Sequence, residues 1–329
     1  MEYTILGRTA LRVSRAGFGG GDIGQVWGAT TEKESIRAVH RALDLGVNYF
    51  DVAPGYGDGK AEEVLGLALQ GRRNEPIVAT KVRLRAEEMD DVSGAVARSV
   101  ENSLQRLRME AVDVLHVHNR FTQNRGDSPD SLSAEDALGL VLEAFQKMQQ
   151  AAKTRFIGVS AMEPHVPTVK RIMESGHYDT VLAYYNLLNW TAQETPTPGA
   201  EIFDNGQIIP LAKLLGMGVV GIRSHAAGAL TSQVDRPVPT GTLLTQDVAS
   251  TKTLGFLMEE PIRTMSQAAM VFCLMNPDIH TSVPGIKNVS EIEEIAGCVD
   301  LPPIPPEHME RLGELYSRGF LAEASNNPL

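Results

Sequence analysis

The chain has 329 residues, 30 of them basic and 41 acidic, for a formal net charge of −11. That length fits two ordinary domains or one α/β barrel with insertions, and either buries a core without disulfides. The acidic balance argues against nucleic-acid binding and against a polybasic membrane surface, and two cysteines, Cys273 and Cys298, make no disulfide framework. Met1 to Thr4 lack the basic region and apolar run of a signal peptide, and no stretch approaches the ~20 apolar residues of a membrane span. These features lead to the expectation of a cytoplasmic protein acting on a small molecule, with no nucleic-acid or membrane partner. The oligomeric state is not legible.

In chain order, Ala16–Gly19 reads as a first strand. The next residues, Gly19-Gly20-Gly21-Asp22-Ile23-Gly24, fit the dinucleotide pattern G-x-G-x-x-G. That pattern binds a pyrophosphate only when its glycines open a helix. Here Gln25-Val26-Trp27-Gly28 follows, so the match is read as a glycine-rich loop, with Trp27 in it expected to line a substrate pocket. Thr31-Glu32-Lys33-Glu34 is a capping box, Ile36, Val39 and Leu43 form one helical face, and Gly46 ends the helix.

Strands then follow at Gly46–Asp51, Pro76–Lys81, Val112–His118, Arg155–Val159, Thr180–Tyr184, Gly218–Ile222 and Ile279–Val283. They are nearly continuous apolar runs, as a parallel sheet buried on both faces requires. Helical faces alternate with them: Val92, Val96, Val100, Leu104 and Leu107; Val141, Leu142, Phe145 and Met148 after a start at Ser133; Val166, Val169, Ile172 and Met173; Met265, Ala268, Ala269 and Phe272. Pro302 to Leu321 adds a short carboxy-terminal helix. Eight alternations predict a (β/α)8 TIM barrel, spanning 1–329 as one domain. Long connections follow the fourth, sixth and seventh strands, at the face where barrels place their chemistry.

Asp51, Lys81 and His118 end the second, third and fourth strands, and Tyr56 follows Asp51 closely. At that height in a barrel they converge on one mouth. Their types fit together. A phenol is a poor acid at neutral pH, with a reference pKa of about 10, and a nearby ammonium stabilises its phenolate. A carboxylate holds the ammonium charged, and a histidine can orient a carbonyl oxygen. Such a set protonates a carbonyl oxygen while hydride reaches the carbon from a cofactor.

On these residues the sequence resembles the aldo-keto reductase superfamily. Leu6-Gly7-Arg8-Thr9 with Leu11-Arg12-Val13-Ser14 is similar to its amino-terminal hairpin, and Gly46–Asp51 with Ala53 and Tyr56-Gly57 to its Asp/Tyr signature. Lys81, Asp113–His118, Ile157–Ser160 and Pro284–Asn288 running into Glu291–Glu294 match further segments. The resemblance implies that Tyr56 is the general acid or base, that Lys81 and Asp51 tune it, and that His118 orients the carbonyl. Ser160 would bind the nicotinamide carboxamide. Gly20 and Asp51 would lie along the cofactor. Ser224 to Leu230, including Ala226 and Gly228, would line the pyrophosphate. Gly285, Lys287, Asn288, Glu291 and Glu294 would form the adenosine clasp. The implied reaction interconverts an aldehyde, ketone or sugar-derived carbonyl with an alcohol, using NADP(H), with NAD(H) as the alternative. Trp27, Tyr56, His118, Asn119 and Tyr185 are the expected substrate contacts.

The chain departs from the family pattern at Ala161 and Leu182, where amides are usual, and at Arg223, where an aromatic ring often stacks on the nicotinamide. Glu291 and Ile295 also depart, and Glu291 brings negative charge to the place of a 2′-phosphate. Arg223 is read as a contact for an acidic substrate group or as the partner of a glutamate. Two rival readings stand beside the reductase. His116 and His118, at i and i+2 on one strand face, could serve a metal-dependent barrel hydrolase, with His165 and His225 as further ligands. A cofactor-binding regulatory subunit with little turnover would use the same fold.

Overall fold

The computed structural model describes residues 1–320 except 27, 73–75, 163, 197, 199–201, 233 and 239. Trp27 thus lies outside the described residues. The chain opens with a hairpin of β1 (Tyr3–Ile5) and β2 (Arg12–Ser14), paired antiparallel with Thr4 opposite Val13. Eight parallel strands follow: β3 (Phe18–Gly19), β4 (Tyr49–Asp51), β5 (Ile77–Val82), β6 (Val112–Val117), β7 (Thr154–Ala161), β8 (Thr180–Tyr184), β9 (Gly218–Ile222) and β10 (Thr281–Ser282). Each pairs with the next in sequence. The first and last meet as well: Gly17 N–H donates to the Ser282 carbonyl at 2.8 Å, and Gly19 N–H to that of Pro284 at 2.9 Å. The sheet therefore closes into the expected (β/α)8 barrel.

Helices α1 (Glu32–Asp44), α2 (Lys60–Ala68), α3 (Val92–Leu107), α4 (Ala134–Leu138), α5 (Leu140–Gln150), α6 (Val166–Glu174), α7 (Ile208–Leu214), α8 (Leu243–Thr251), α9 (Met265–Met275), α10 (Val289–Gly297) and α11 (Pro306–Ser317) complete the described elements. Thr31 caps α1 by accepting from Glu34 N–H, as its sequence predicts. The glycine-rich segment 19–24 is a turn that opens no helix.

Two helices differ from their sequence reading. The helix beginning at Ser133 is broken at Gly139, whose φ of −103° and ψ of −113° divide α4 from α5. The connection after β9, read as loop, contains α8. It is capped by Thr242 and has no fully buried residue; only Leu244 and Val248 rest half-buried on the core, too short an apolar stripe to stand out as a pattern. Among the described residues no helix is long and apolar enough to cross a membrane.

The apolar interior forms two bodies. The larger lies between strands and helices. The smaller fills the barrel: Tyr49, Ala79, Val114, Leu182, Val220 and Val283 stack above Leu6, Leu11 and Val13 of the hairpin. The hairpin thus plugs the floor. Burying Leu6 and Val13, both 0 % exposed, contributes about 1.5–3 kcal/mol each. With the floor sealed, the barrel opens only at its carboxyl end.

Candidate active site

The strand ends converge there as the sequence predicts. Asp51 ends β4, Lys81 lies in β5, and His118 follows β6. Lys81 Nζ donates to Asp51 Oδ2 at 2.5 Å and to the Val52 carbonyl at 2.8 Å. The side chains are 1 % and 4 % exposed, so the pair is desolvated. Burial raises the Asp51 carboxyl against the pull of Lys81. Burial also works against the Lys81 ammonium, but Asp51 and Tyr56 outweigh it and hold the lysine above its ordinary value. Asp51 Oδ1 is buried without a partner.

Tyr56 sits on the loop after β4. Gly57 follows it with φ +62°, and a Cβ there would stand 2.2 Å from the Gly24 carbonyl oxygen. Only glycine lets this loop close against the glycine-rich turn. Lys81 Nζ lies 4.8 Å from the Tyr56 ring centre, and the His118 ring stands edge-on to the Tyr56 ring at 6.1 Å. Burial, then the charges of Lys81 and Arg83, push the His118 pKa down to about 3, so its imidazole is neutral.

These four groups line a cavity of about 590 Å³. Beyond them the wall passes Ser160, Met162, Leu182, Ile222 and Arg223. Arg223 has φ +63°, a strained value for this residue, and its carbonyl accepts from Asn186 Nδ2 at 2.8 Å. Arg223 Nη2 lies 3.9 Å from Met162 Sδ. Asp247 on α8 responds to Arg223: burial pushes its carboxyl up to about 6 while the guanidinium draws it down. An aspartate from α8, a helix the sequence did not reveal, thus feels the Arg223 charge.

Further along, Ser224 and Ser282 hydroxyls meet at 2.7 Å, and Ala227, Gly228, Thr231, Ser232 and Arg236 form the wall. Arg236 Nη2 holds the Ala227 carbonyl at 2.7 Å. Gly20, Gly285, Lys287, Asn288, Glu291 and Glu294 lie at the cavity, as expected. Asn288 caps α10 by accepting from Glu291 N–H at 2.9 Å, and Glu294 accepts from Thr264 Oγ1 at 2.6 Å. Lys287 is paired with Asp235 and lies 3.5 Å from Glu291 Oε1. Burial opposes its charge, yet these carboxylates hold its pKa up.

Four expected residues fall away from the wall. Ala226 and Leu230 are buried beneath the turn that carries Ala227 and Gly228. Asn119 is 1 % exposed, with its amide spent on the Leu84 N–H, the Leu84 carbonyl and the Asp130 carbonyl, so it ties loops together. Tyr185 stacks on Phe272 at 5.0 Å in the core. Asp22, Asp235 and Arg236 do reach the cavity and were missed. They lie on turns without periodicity, so no pattern marks them.

The histidines of the hydrolase reading do not converge. His116 is fully buried and pairs through Nε2 with Thr180 Oγ1 at 3.0 Å, His165 with Thr168 at 2.8 Å, and His225 with Ser266 at 3.3 Å. Among the described residues no group of three or more His, Cys, Asp or Glu could hold a metal ion.

The Aldo/keto reductase family model matches residues 15–317. The chain belongs to the aldo-keto reductase family. It is 30 % identical over 306 residues to L-galactose dehydrogenase of Arabidopsis thaliana, covering 91 % of this chain and 88 % of that one. It is 25 % identical to a putative voltage-gated potassium channel subunit beta of Schizosaccharomyces pombe, over 96 % of this chain and 94 % of the other. Among solved structures, aldo-keto reductase AKR11C1 from Bacillus halodurans in its holo form superposes with a TM-score of 0.73, at 24 % identity and 96 % coverage of both chains. An aldo-keto reductase from Klebsiella pneumoniae in complex with NADPH gives 0.68 at 20 % identity, over 96 % of each chain. This member of the family is an NAD(P)H-dependent carbonyl oxidoreductase.

Proposed function

We propose that the protein interconverts an aldehyde, ketone or sugar-derived carbonyl with its alcohol, with Tyr56 as proton donor and acceptor and a nicotinamide dinucleotide, NADP(H) or alternatively NAD(H), as the cofactor. The observation that carries this reading is the Tyr56, Lys81, Asp51 and His118 group on the wall of one cavity that also reaches Ser160, Ser224 and Lys287. The likeness to L-galactose dehydrogenase supports a sugar-derived substrate.

The wall suits a dinucleotide in its chemistry. Ser160 and Ser224 offer hydroxyls, the 227–228 turn offers backbone groups, and Lys287 and Arg236 supply cations, all on the same wall. NADP(H) supplies or takes the hydride when bound. The protein's part is the proton and the geometry. His118, neutral, directs the carbonyl oxygen toward Tyr56 by donating a hydrogen bond. In reduction the Tyr56 hydroxyl gives its proton to that oxygen as the carbon gains hydride, and the Lys81 ammonium stabilises the phenolate left behind. Asp51 keeps Lys81 charged and aimed. The closed floor confines the reacting atoms to the mouth.

The test is calorimetric titration with NADPH and NADH, followed by turnover assays on aldehydes, ketones and aldoses. Saturable binding and consumption of the reduced cofactor with at least one carbonyl class are expected. Binding without turnover on any of them would refute the enzymatic reading and favour a regulatory subunit.

A further inference from the structure

Around Lys287 the cavity is more acidic than a phosphate site should be. Asp22, on the turn after β3, is 8 % exposed and lines the cavity, yet its Oδ1 has no partner. Its Oδ2 lies against Gly285, where a Cβ would stand 2.6 Å away. The charged groups facing it come from two other parts of the chain: Lys287 and Glu291 at the start of α10, and Asp235 and Arg236 on the long connection after β9. Lys287 is already engaged by Asp235 and Glu291. Three carboxylates thus face two cations.

Resting on the cofactor reading above, we propose that Asp22 is a cofactor-selecting residue: its ionised carboxylate disfavours a 2′-phosphate on the adenosine ribose and favours a hydroxyl there. A 2′-phosphate entering here must compete with two carboxylates for Lys287 and lie beside a third, in a desolvated place where like charges repel strongly. A ribose hydroxyl meets the opposite situation, because a carboxylate with an unpartnered oxygen accepts it, as acidic residues do in NAD sites. Burial first, then Glu291, raises the Asp22 carboxyl to about 7, with Lys287 drawing it down. The selection therefore changes across neutral pH. Protonated Asp22 tolerates the phosphate, and ionised Asp22 turns the site toward NAD(H).

The test compares NADPH and NADH affinity by calorimetry at pH 6 and pH 8, in the unmodified protein and in Asp22→Asn. Asp22→Ser provides a second variant should the first fold poorly. The 2′-phosphate itself titrates near 6, but it does so equally in every protein compared. At pH 8 Asp22→Asn should bind NADPH about tenfold tighter, with NADH changed less than about twofold, and at pH 6 the NADPH gain should shrink to under about threefold. Equal gains for both cofactors would place Asp22 at the shared pyrophosphate and overturn the selection. An unchanged NADPH-to-NADH ratio in both variants would overturn it as well. If neither cofactor binds the unmodified protein, the nicotinamide reading fails and the assignment of Asp22 fails with it.

Discussion

Replacing Lys81 by Met removes one half of a buried ion pair and leaves the other half stranded. Asp51 would lose its contact at 2.5 Å, while its second oxygen already lacks a partner. Breaking such a pair from one side costs about 3–5 kcal/mol, because an uncompensated charge stays buried. Lys81→Met is therefore expected to lower stability by that amount at pH 8. The loss should shrink at pH 5. Without Lys81 the folded-state pKa of Asp51 lies far above its unfolded value, so its contribution is retained at low pH and lost as pH rises. Adding Asp51→Leu removes the stranded charge, and the double variant should recover about 2–3 kcal/mol relative to the sum of the two single changes. Urea midpoints followed by circular dichroism at both pH values measure all three variants. A loss below about 1 kcal/mol, equal losses at both pH values, or simple additivity would refute the claim that this pair is desolvated and mutually dependent.

Asp22→Asn should stabilise the cofactor-free protein at pH 8 by about 2–4 kcal/mol and have little effect at pH 4. The Asp22 carboxyl is raised to about 7, so its contribution is present at low pH and lost as pH rises through that value; thermal melts at the two pH values would show this. His118, pushed down to about 3, should give no protonation signal between pH 5 and 8 in histidine ring NMR spectra, and a transition near 6 would contradict its assigned environment. Gly158→Ala would bring a Cβ to 2.2 Å from Thr180 Oγ1 and 2.6 Å from His116 Cδ2, so it should cost about 1–3 kcal/mol in urea unfolding; a neutral result would show that His116 moves freely.

The sequence announces the parts of this molecule that obey a repeating physical rule. β8 and β9 coincide with their apolar runs because both faces of a parallel strand are buried. Asp51, Lys81 and His118 were visible because an ionisable residue at the end of an apolar strand breaks a clear pattern. β4 and β10 are shorter than their apolar runs, although flanking residues still bond to the next strand, as Val283 N–H does to the Gly221 carbonyl at 2.9 Å. Asn119 follows His118 and shares its height on the strand, which made it look like a wall residue. Its amide instead satisfies three backbone groups, a role set by where the next loop returns. Asp22, Asp235 and Asp247 come from a turn, a loop and a half-buried helix. Their meeting with Lys287 and Arg223 is a product of tertiary structure alone.

Proton transfer by Tyr56 is the step on which the proposed hydride-transfer reaction turns. It is tested most directly by single-turnover mixing of the cofactor-loaded protein with an aldehyde that it reduces, comparing the unmodified chain with Tyr56→Phe. Tyr56→Phe should keep cofactor affinity within about twofold while oxidation of the reduced nicotinamide slows by about 10²–10⁴. Oxidation at an unchanged rate in Tyr56→Phe would contradict the assignment.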